Sequence, residues 1–180
     1  MKPWKRIEPT TMVNAARRGI TVKSFQLPDG SLQQFEIFDK DGLQHAGCIA
    51  ITPDRKILVA EQFRAGPEKI MQEIPGGTVD EGENPETAAL RELQEETGYI
   101  PGKIESLGIV YKDAYMNATW HYFLVLDCVP SNRAQNLDED ERINVRLISI
   151  EEFINNARNA RMTDVDAVFL AYQKLLDLKR

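Results

Sequence analysis

Cysteine, histidine, net positive charge and long apolar runs are all scarce in this chain. Its 180 residues include two cysteines and two histidines. Cys48 and Cys128 are too few for a disulfide framework, and both lie in apolar runs, GCIAI and VLDCV, where a buried free thiol is expected. A reducing, cytoplasmic setting fits that usage. His121 has no second histidine or cysteine at ligand spacing and is read as structural. No apolar run approaches the roughly eighteen residues of a membrane span, and MKPWKRIEPT is basic without an apolar core, so neither a membrane-spanning nor a secreted chain is expected. A formal charge of −6 argues against sequence-independent binding to nucleic acid, which needs a basic surface. No internal repeat, low-complexity tract or flexible linker is present.

What the chain does have is one domain's worth of residues organised around Gly76 to Tyr99, GGTVDEGENPETAALRELQEETGY. This stretch begins as a glycine-rich loop. Asn84 can cap a helix, Pro85 suits its first position, and Gly98 is the expected left-handed stop. Within that helix Glu92, Glu95 and Glu96 stand at i, i+3 and i+4, so one face carries three carboxylates within a turn. Like charges so spaced cost roughly 0.2–0.5 kcal/mol per pair, and Arg91 projects about 100° around the helix from Glu92, so the spacing predicts no local relief. A divalent cation would reverse the balance. Hard oxygen donors on one rigid helix suit Mg2+.

Gly77, Glu83, Arg91, Glu92, Leu93, Glu95, Glu96 and Gly98 fall in the frame G-x5-E-x7-R-E-U-x-E-E-x-G-U, where U is a bulky aliphatic residue. The stretch resembles the Nudix box at every fixed position, with Tyr99 at the final U as a departure expected to affect packing more than metal binding. The resemblance implies an α/β fold, the Nudix α/β/α sandwich with a mixed sheet. It also implies hydrolysis of a pyrophosphate bond with Mg2+, or Mn2+ in its place, as cofactor. By the same resemblance Glu92, Glu96 and the carbonyl of Gly76 hold the metal, Glu95 shares a ligand or base role, and Arg91 pairs with Glu83 to join loop and helix. An acidic chain acting on an anionic phosphate needs such a cation to offset repulsion.

Several further stretches are similar to the ADP-ribose pyrophosphatase branch. Ahead of the box, Thr21 to Phe25, a turn at Pro28-Asp29-Gly30 and Gln33 to Phe38 predict a hairpin. The resemblance makes residues 1–42 an N-terminal β extension that helps form a homodimer and sets Trp4, Phe35 and Phe38 over the substrate's base. Residues 43–180 are then the hydrolase domain. A second hairpin is expected from AGCIAIT and ILVAEQF around Pro53-Asp54-Arg55-Lys56, ending in Glu61-Gln62-Phe63-Arg64. Its Q-F-R resembles the branch's signature and makes Arg64 a candidate phosphate or ribose contact. A guanidinium fork suits phosphate oxygens. Gln72 to Gly77 looks like the E-x-P-G/A-G lead-in of the same branch.

Beyond the box, Lys103 to Tyr111 and His121 to Val129 predict strands. Between them, KDAYMNAT departs from the branch, which carries S-P-G and a nearby glutamate. Tyr115, with Asn117 and Trp120, is a candidate wall of a different nucleoside or sugar pocket. Next, Glu139 to Val145 aligns with the family's E-x-E-D-I-x-V, making Glu139 the candidate base and Glu141 a further metal ligand. Ile143, Val145 and Leu147 alternate as a strand. Helices are expected from Ser149 and from Thr163-Asp164 through Leu178, the second with an apolar face of Val165, Val168, Phe169, Tyr172, Leu175 and Leu176. The substrate implied is a nucleoside diphosphate linked to another moiety, ADP-ribose or another ADP-sugar first. A GDP-sugar, a dinucleotide, a nucleoside triphosphate, or a non-catalytic nucleotide sensor are the alternatives.

Overall fold

The computed structural model describes residues 4–14, 19–132, 134–137 and 141–179. They form two compact units. One takes Met1–Gln44 with Tyr111–Trp120, the other His45–Val110 with His121–Arg180.

In the first unit β1 (Lys5–Asn14), β2 (Gly19–Gln26) and β3 (Leu32–Phe38) make an antiparallel sheet in chain order. The expected β2–β3 hairpin is present. Gly30 takes the positive φ (87°) that its turn needs, and Asp29 Oδ1 accepts from Ser31 N at 2.9 Å. The stretch 111–120 is laced to the end of β3. Phe38 N donates to Tyr115 O (2.8 Å), Asn117 N to Phe38 O (2.9 Å), and the Asn117 amide to Asp39 O (2.7 Å).

The second unit is built on a seven-stranded sheet. Its members in chain order are β4 (Gln44–Ile51), β5 (Lys56–Arg64), β6 (Lys69–Glu73), β7 (Gly76–Thr78), then, past helix α1 (Pro85–Thr97) and the short β8 (Tyr99–Ile100), β9 (Lys103–Val110) and β10 (Thr119–Leu126). After β11 (Val129–Pro130), which pairs only with β8, come β12 (Asn144–Ser149), α2 (Ile150–Arg158) and α3 (Val165–Leu178). The spatial order is β12-β5-β4-β10-β9, with β6 added to β5 and β7 to β4. Every residue from Ala46 to Ile51 is buried, which requires cover on both faces of β4. Ala46, Cys48 and Ala50 pack with Ala88, Ala89 and Leu93 of α1, and α2 and α3 pack on each other and on β5, β12 and β9. Cys48 and Cys128 are both buried free thiols, as expected. Tyr99, the departure at the end of the box, packs against the α1 cluster.

Two expectations about apolar faces are corrected. In α3 the buried stripe is Ala167, Val168, Ala171 and Leu175, while Phe169 is 80% exposed and Val165 and Tyr172 also face outward. Small alanines let the helix approach closely, so the stripe sits around them rather than around the largest side chains. In β12 Leu147 is exposed and Ile148 buried, because burial passes through Ile148 and Ile150 at the hand-over to α2. Among the described residues no helix is long and apolar enough to cross a membrane.

The loop entering β7 has no room for side chains. A Cβ on Gly76 would lie 2.5 Å from Ala46 O and 2.7 Å from Gly47 Cα, both backbone atoms that cannot step aside. Gly76→Ala is expected to lower stability by roughly 1–3 kcal/mol, the usual cost of overpacking, in equilibrium denaturant unfolding.

Candidate active site

The helix α1 is delimited as its sequence predicts. Asn84 Oδ1 accepts from Thr87 N at 2.9 Å, Pro85 opens the first turn, and Gly98 closes the helix at φ 71° with its N–H on Gln94 O. This fixes Glu92, Glu95 and Glu96 on neighbouring positions of a rigid scaffold.

Their charges are handled differently from the expectation of no local relief. Arg91 is the hub: one guanidinium nitrogen, Nη1, donates to Glu92 Oε1 (2.8 Å) and Glu95 Oε2 (3.1 Å). The other side of the group reaches Glu83 through Nε (3.2 Å) and Nη2 (3.1 Å), and Nη2 also donates to Thr78 O (3.1 Å). The direction of a Cα–Cβ bond does not limit an arginine, whose long arm bends back along the helix. The pairing of Arg91 with Glu83 is the one implied by the box, and it ties the loop to the helix. It is also the first cause holding Arg91 more firmly protonated and Glu83 below the usual carboxylate range.

Glu96 is left out of that arrangement. It is 4% exposed, and Gly76 N donates to its Oε2 at 3.2 Å. Burial first, then the neighbouring charges of Glu92, Glu141 and Glu73, push its carboxyl up to about 9 against the opposing pull of the Gly76 N–H. Glu92 is also raised, by burial first and by Glu95 and Glu141, with Arg91 pulling the other way. Glu141, the expected further ligand, is among the lesser causes of both shifts. Gly77 leaves the Glu92 carboxylate its present position, since a Cβ there would push that side chain aside. Glu139, the candidate base, lies outside the described residues.

Among the described residues no three carboxylate, imidazole or thiolate groups are already gathered as a cation cage, because Glu92 and Glu95 meet on Arg91. The donor chemistry nevertheless fits a divalent metal. Buried Glu96 has unused acceptor capacity and carboxylates on several sides, and every available donor is an oxygen.

Arg64 and Glu73 form a fork-to-carboxylate pair, with Nε on Oε1 at 2.6 Å and Nη2 on Oε2, and Gln62 Nε2 adds a bond to Oε2 at 3.3 Å. The expected substrate arginine thus has two of its nitrogens engaged by a buried partner. Glu73 was not singled out as a site residue. The signal for it was the leading acid of the E-x-P-G/A-G stretch; in the β5–β6 register it pairs with Ala60 while Arg64 pairs with Lys69, so the long arginine side chain reaches along the sheet to meet it. In the first unit Trp4, Phe35 and Tyr115 come together: the Trp4 and Phe35 rings are stacked at 5.8 Å, and Tyr115 is 6.4 Å from Phe35. Phe38 is exposed outside this cluster.

A family model described as NUDIX domain matches residues 43–172. The chain belongs to the Nudix family. Among its relatives, an ADP-ribose pyrophosphatase of Bacillus subtilis (strain 168) is 31% identical over 149 residues, covering 82% of this chain and 80% of that protein. A methanol dehydrogenase activator of Bacillus methanolicus is 32% identical over 150 residues, with 83% and 80% covered. The solved crystal structure of an ADP compounds hydrolase superposes with a TM-score of 0.78 over 98% of this chain and 96% of the other, at 19% identity, which shows the shared Nudix fold.

The raised carboxyl of Glu96 has a consequence for stability. Unfolded, it titrates near 4.5; folded, it keeps its proton up to about pH 9. The stabilising contribution is full below the unfolded value and is lost as pH rises through the folded one. Without divalent cations, the thermal midpoint is expected to fall between about pH 5 and pH 9, and Glu96→Gln to flatten that slope, as calorimetry across the range would measure.

Proposed function

We propose that this Nudix hydrolase splits the pyrophosphate bond of a nucleoside diphosphate linked to another moiety, with ADP-ribose or another ADP-sugar as substrate and AMP and a sugar phosphate as products. The observation that carries this reading is the buried Glu96, bonded to the Gly76 N–H and close to Glu92, a set of oxygen donors that suits a divalent cation. The ADP-ribose pyrophosphatase of Bacillus subtilis supports the choice of substrate, since most of both chains align.

Glu92, Glu96, Glu141 and the Gly76 carbonyl would hold the metal, Mg2+ with Mn2+ able to replace it. When bound, the cation neutralises phosphate oxygens and favours ionisation of the attacking water. Glu139 or Glu95 accepts the proton of that water as its oxygen attacks phosphorus and the bridging P–O bond breaks. Arg91 keeps Glu92 and Glu95 on the reacting face. Arg64 contributes to binding with the nitrogen that its pairing with Glu73 leaves over, and Trp4, Phe35 and Tyr115 offer a stacking surface to a base. The protein works in the cytoplasm as a homodimer.

One observation favours a second reading of the substrate. The stretch 113–117 carries Asp113, which accepts from Tyr115 N at 2.7 Å, in place of the branch's S-P-G, so a GDP-sugar, a dinucleotide or a nucleoside triphosphate is the alternative.

Purified protein with Mg2+ is expected to release AMP from ADP-ribose on chromatography; silence on ADP-ribose with turnover of GDP-mannose, a dinucleotide or a triphosphate selects the second reading. Glu139→Gln should lower kcat by about 100-fold or more with little change in KM, the scale of a lost general base. Deleting residues 1–42 should convert a dimer to a monomer in light scattering and raise KM, and an active monomer of unchanged KM removes the extension from the site.

A further inference from the structure

The glycine loop is fixed by backbone ties at three successive residues. Gly76 N donates to Glu96 of α1, Pro75 O accepts from Cys48 N of β4 at 3.0 Å, and Ile74 N donates to Asp164 Oδ2 at 3.3 Å. The third tie comes from the far end of the chain.

The segment 161–163 pairs with Gln72 of β6 through a single parallel bridge. Gln72 N donates to Arg161 O (2.9 Å), Thr163 N donates to Gln72 O (3.2 Å), and Gln72 and Met162 are bridge partners. The next rung would bring Ile74 N to a backbone carbonyl, but the chain turns there into α3. The carboxylate of Asp164 takes the carbonyl's place. Asp164 is the N-cap of α3, a position from which aspartate ordinarily accepts from the first free N–H groups of its own helix, yet its side chain makes no such bond. Buried Tyr122, 1% exposed, directs its hydroxyl to this end of α3, 3.1 and 3.2 Å from the oxygens of Asp166 and 3.5 Å from Asp164 Oδ1.

We infer that Asp164 is a positioning residue: its carboxylate is diverted from capping α3 to hold the Ile74 N–H, and thereby keeps the glycine loop in place against Glu96 for divalent-cation binding. This rests on the proposed roles of Gly76 and Glu96 as cation donors. Groups that orient a metal's ligands from outside the coordination shell carry roughly 10-fold to 100-fold of affinity or activity.

Asp164→Ser separates the two jobs open to residue 164. Serine caps a helix as well as aspartate but is too short to keep the bond to Ile74. In the full chain this variant should unfold at or near the unsubstituted midpoint, bind Mn2+ roughly 10-fold to 100-fold more weakly by titration calorimetry, and exchange the amides of 73–78 faster in cation-free buffer. Asp164→Asn, which keeps an acceptor oxygen of the same reach, should restore both binding and protection. Unchanged Mn2+ affinity and exchange in Asp164→Ser, or an asparagine variant no better than serine, overturns the inference. If the unsubstituted chain binds no Mn2+, the assignment of the cation site fails, and the exchange of 73–78 alone decides whether Asp164 holds the loop. Neither readout depends on which phosphate compound is hydrolysed.

Discussion

Three glutamates on one turn of a helix repel one another unless something offsets their charge, and in this protein the guanidinium of Arg91 does so for two of them and burial for the third. The arginine's donors reach Glu83, Glu92, Glu95 and the Thr78 carbonyl, so one side chain joins loop to helix and holds two of the three carboxylates. Planarity matters here, because only a rigid fork serves partners on several sides at once. What Arg91 does not reach is Glu96, which stays with its proton against the glycine loop. The helix thus carries two carboxylates whose charge Arg91 balances and one, Glu96, that burial keeps protonated.

How much of this could be read from the sequence follows the distance over which each feature is decided. The boundaries of α1 rest on Asn84, Pro85 and Gly98 acting on neighbours three or four residues away, and they were legible. The hairpins β2–β3 and β4–β5 were legible for the same reason, as was the burial of both thiols. Pairings between distant segments were not. Asp164 and Ile74 lie on different elements with most of the second unit between them in sequence, and no periodicity announces their contact. Nor does a hydrophobic count foresee that Ala167 and Ala171, rather than Phe169, mark the buried side of α3. Arg91 was misjudged on local geometry, since the angle between Cβ directions understates what a flexible arm can reach.

The first unit shows another limit of linear reading. Trp4, Phe35 and Tyr115 come from just before β1, from β3 and from the stretch before β10, and the lacing of Tyr115 and Asn117 to the end of β3 accompanies the approach of the tyrosine to Phe35. A departure from a family pattern in the stretch 113–117 is therefore also a change in the surroundings of an aromatic platform. Ring packing and backbone pairing are coupled in the same few residues.

The two buried thiols carry a practical consequence. Cys48 lies wholly inside the core beneath α1, with its thiol held far from the ionised form by burial, and Cys128 is raised to about 11 for the same reason. Attack by a thiol reagent needs both contact and a thiolate, and the folded chain denies both. Reaction of either sulfur therefore waits on an opening that lifts the core away from it. A chain with no other cysteine thus records, in the rate at which it takes up such a reagent, how often its α1 face comes apart.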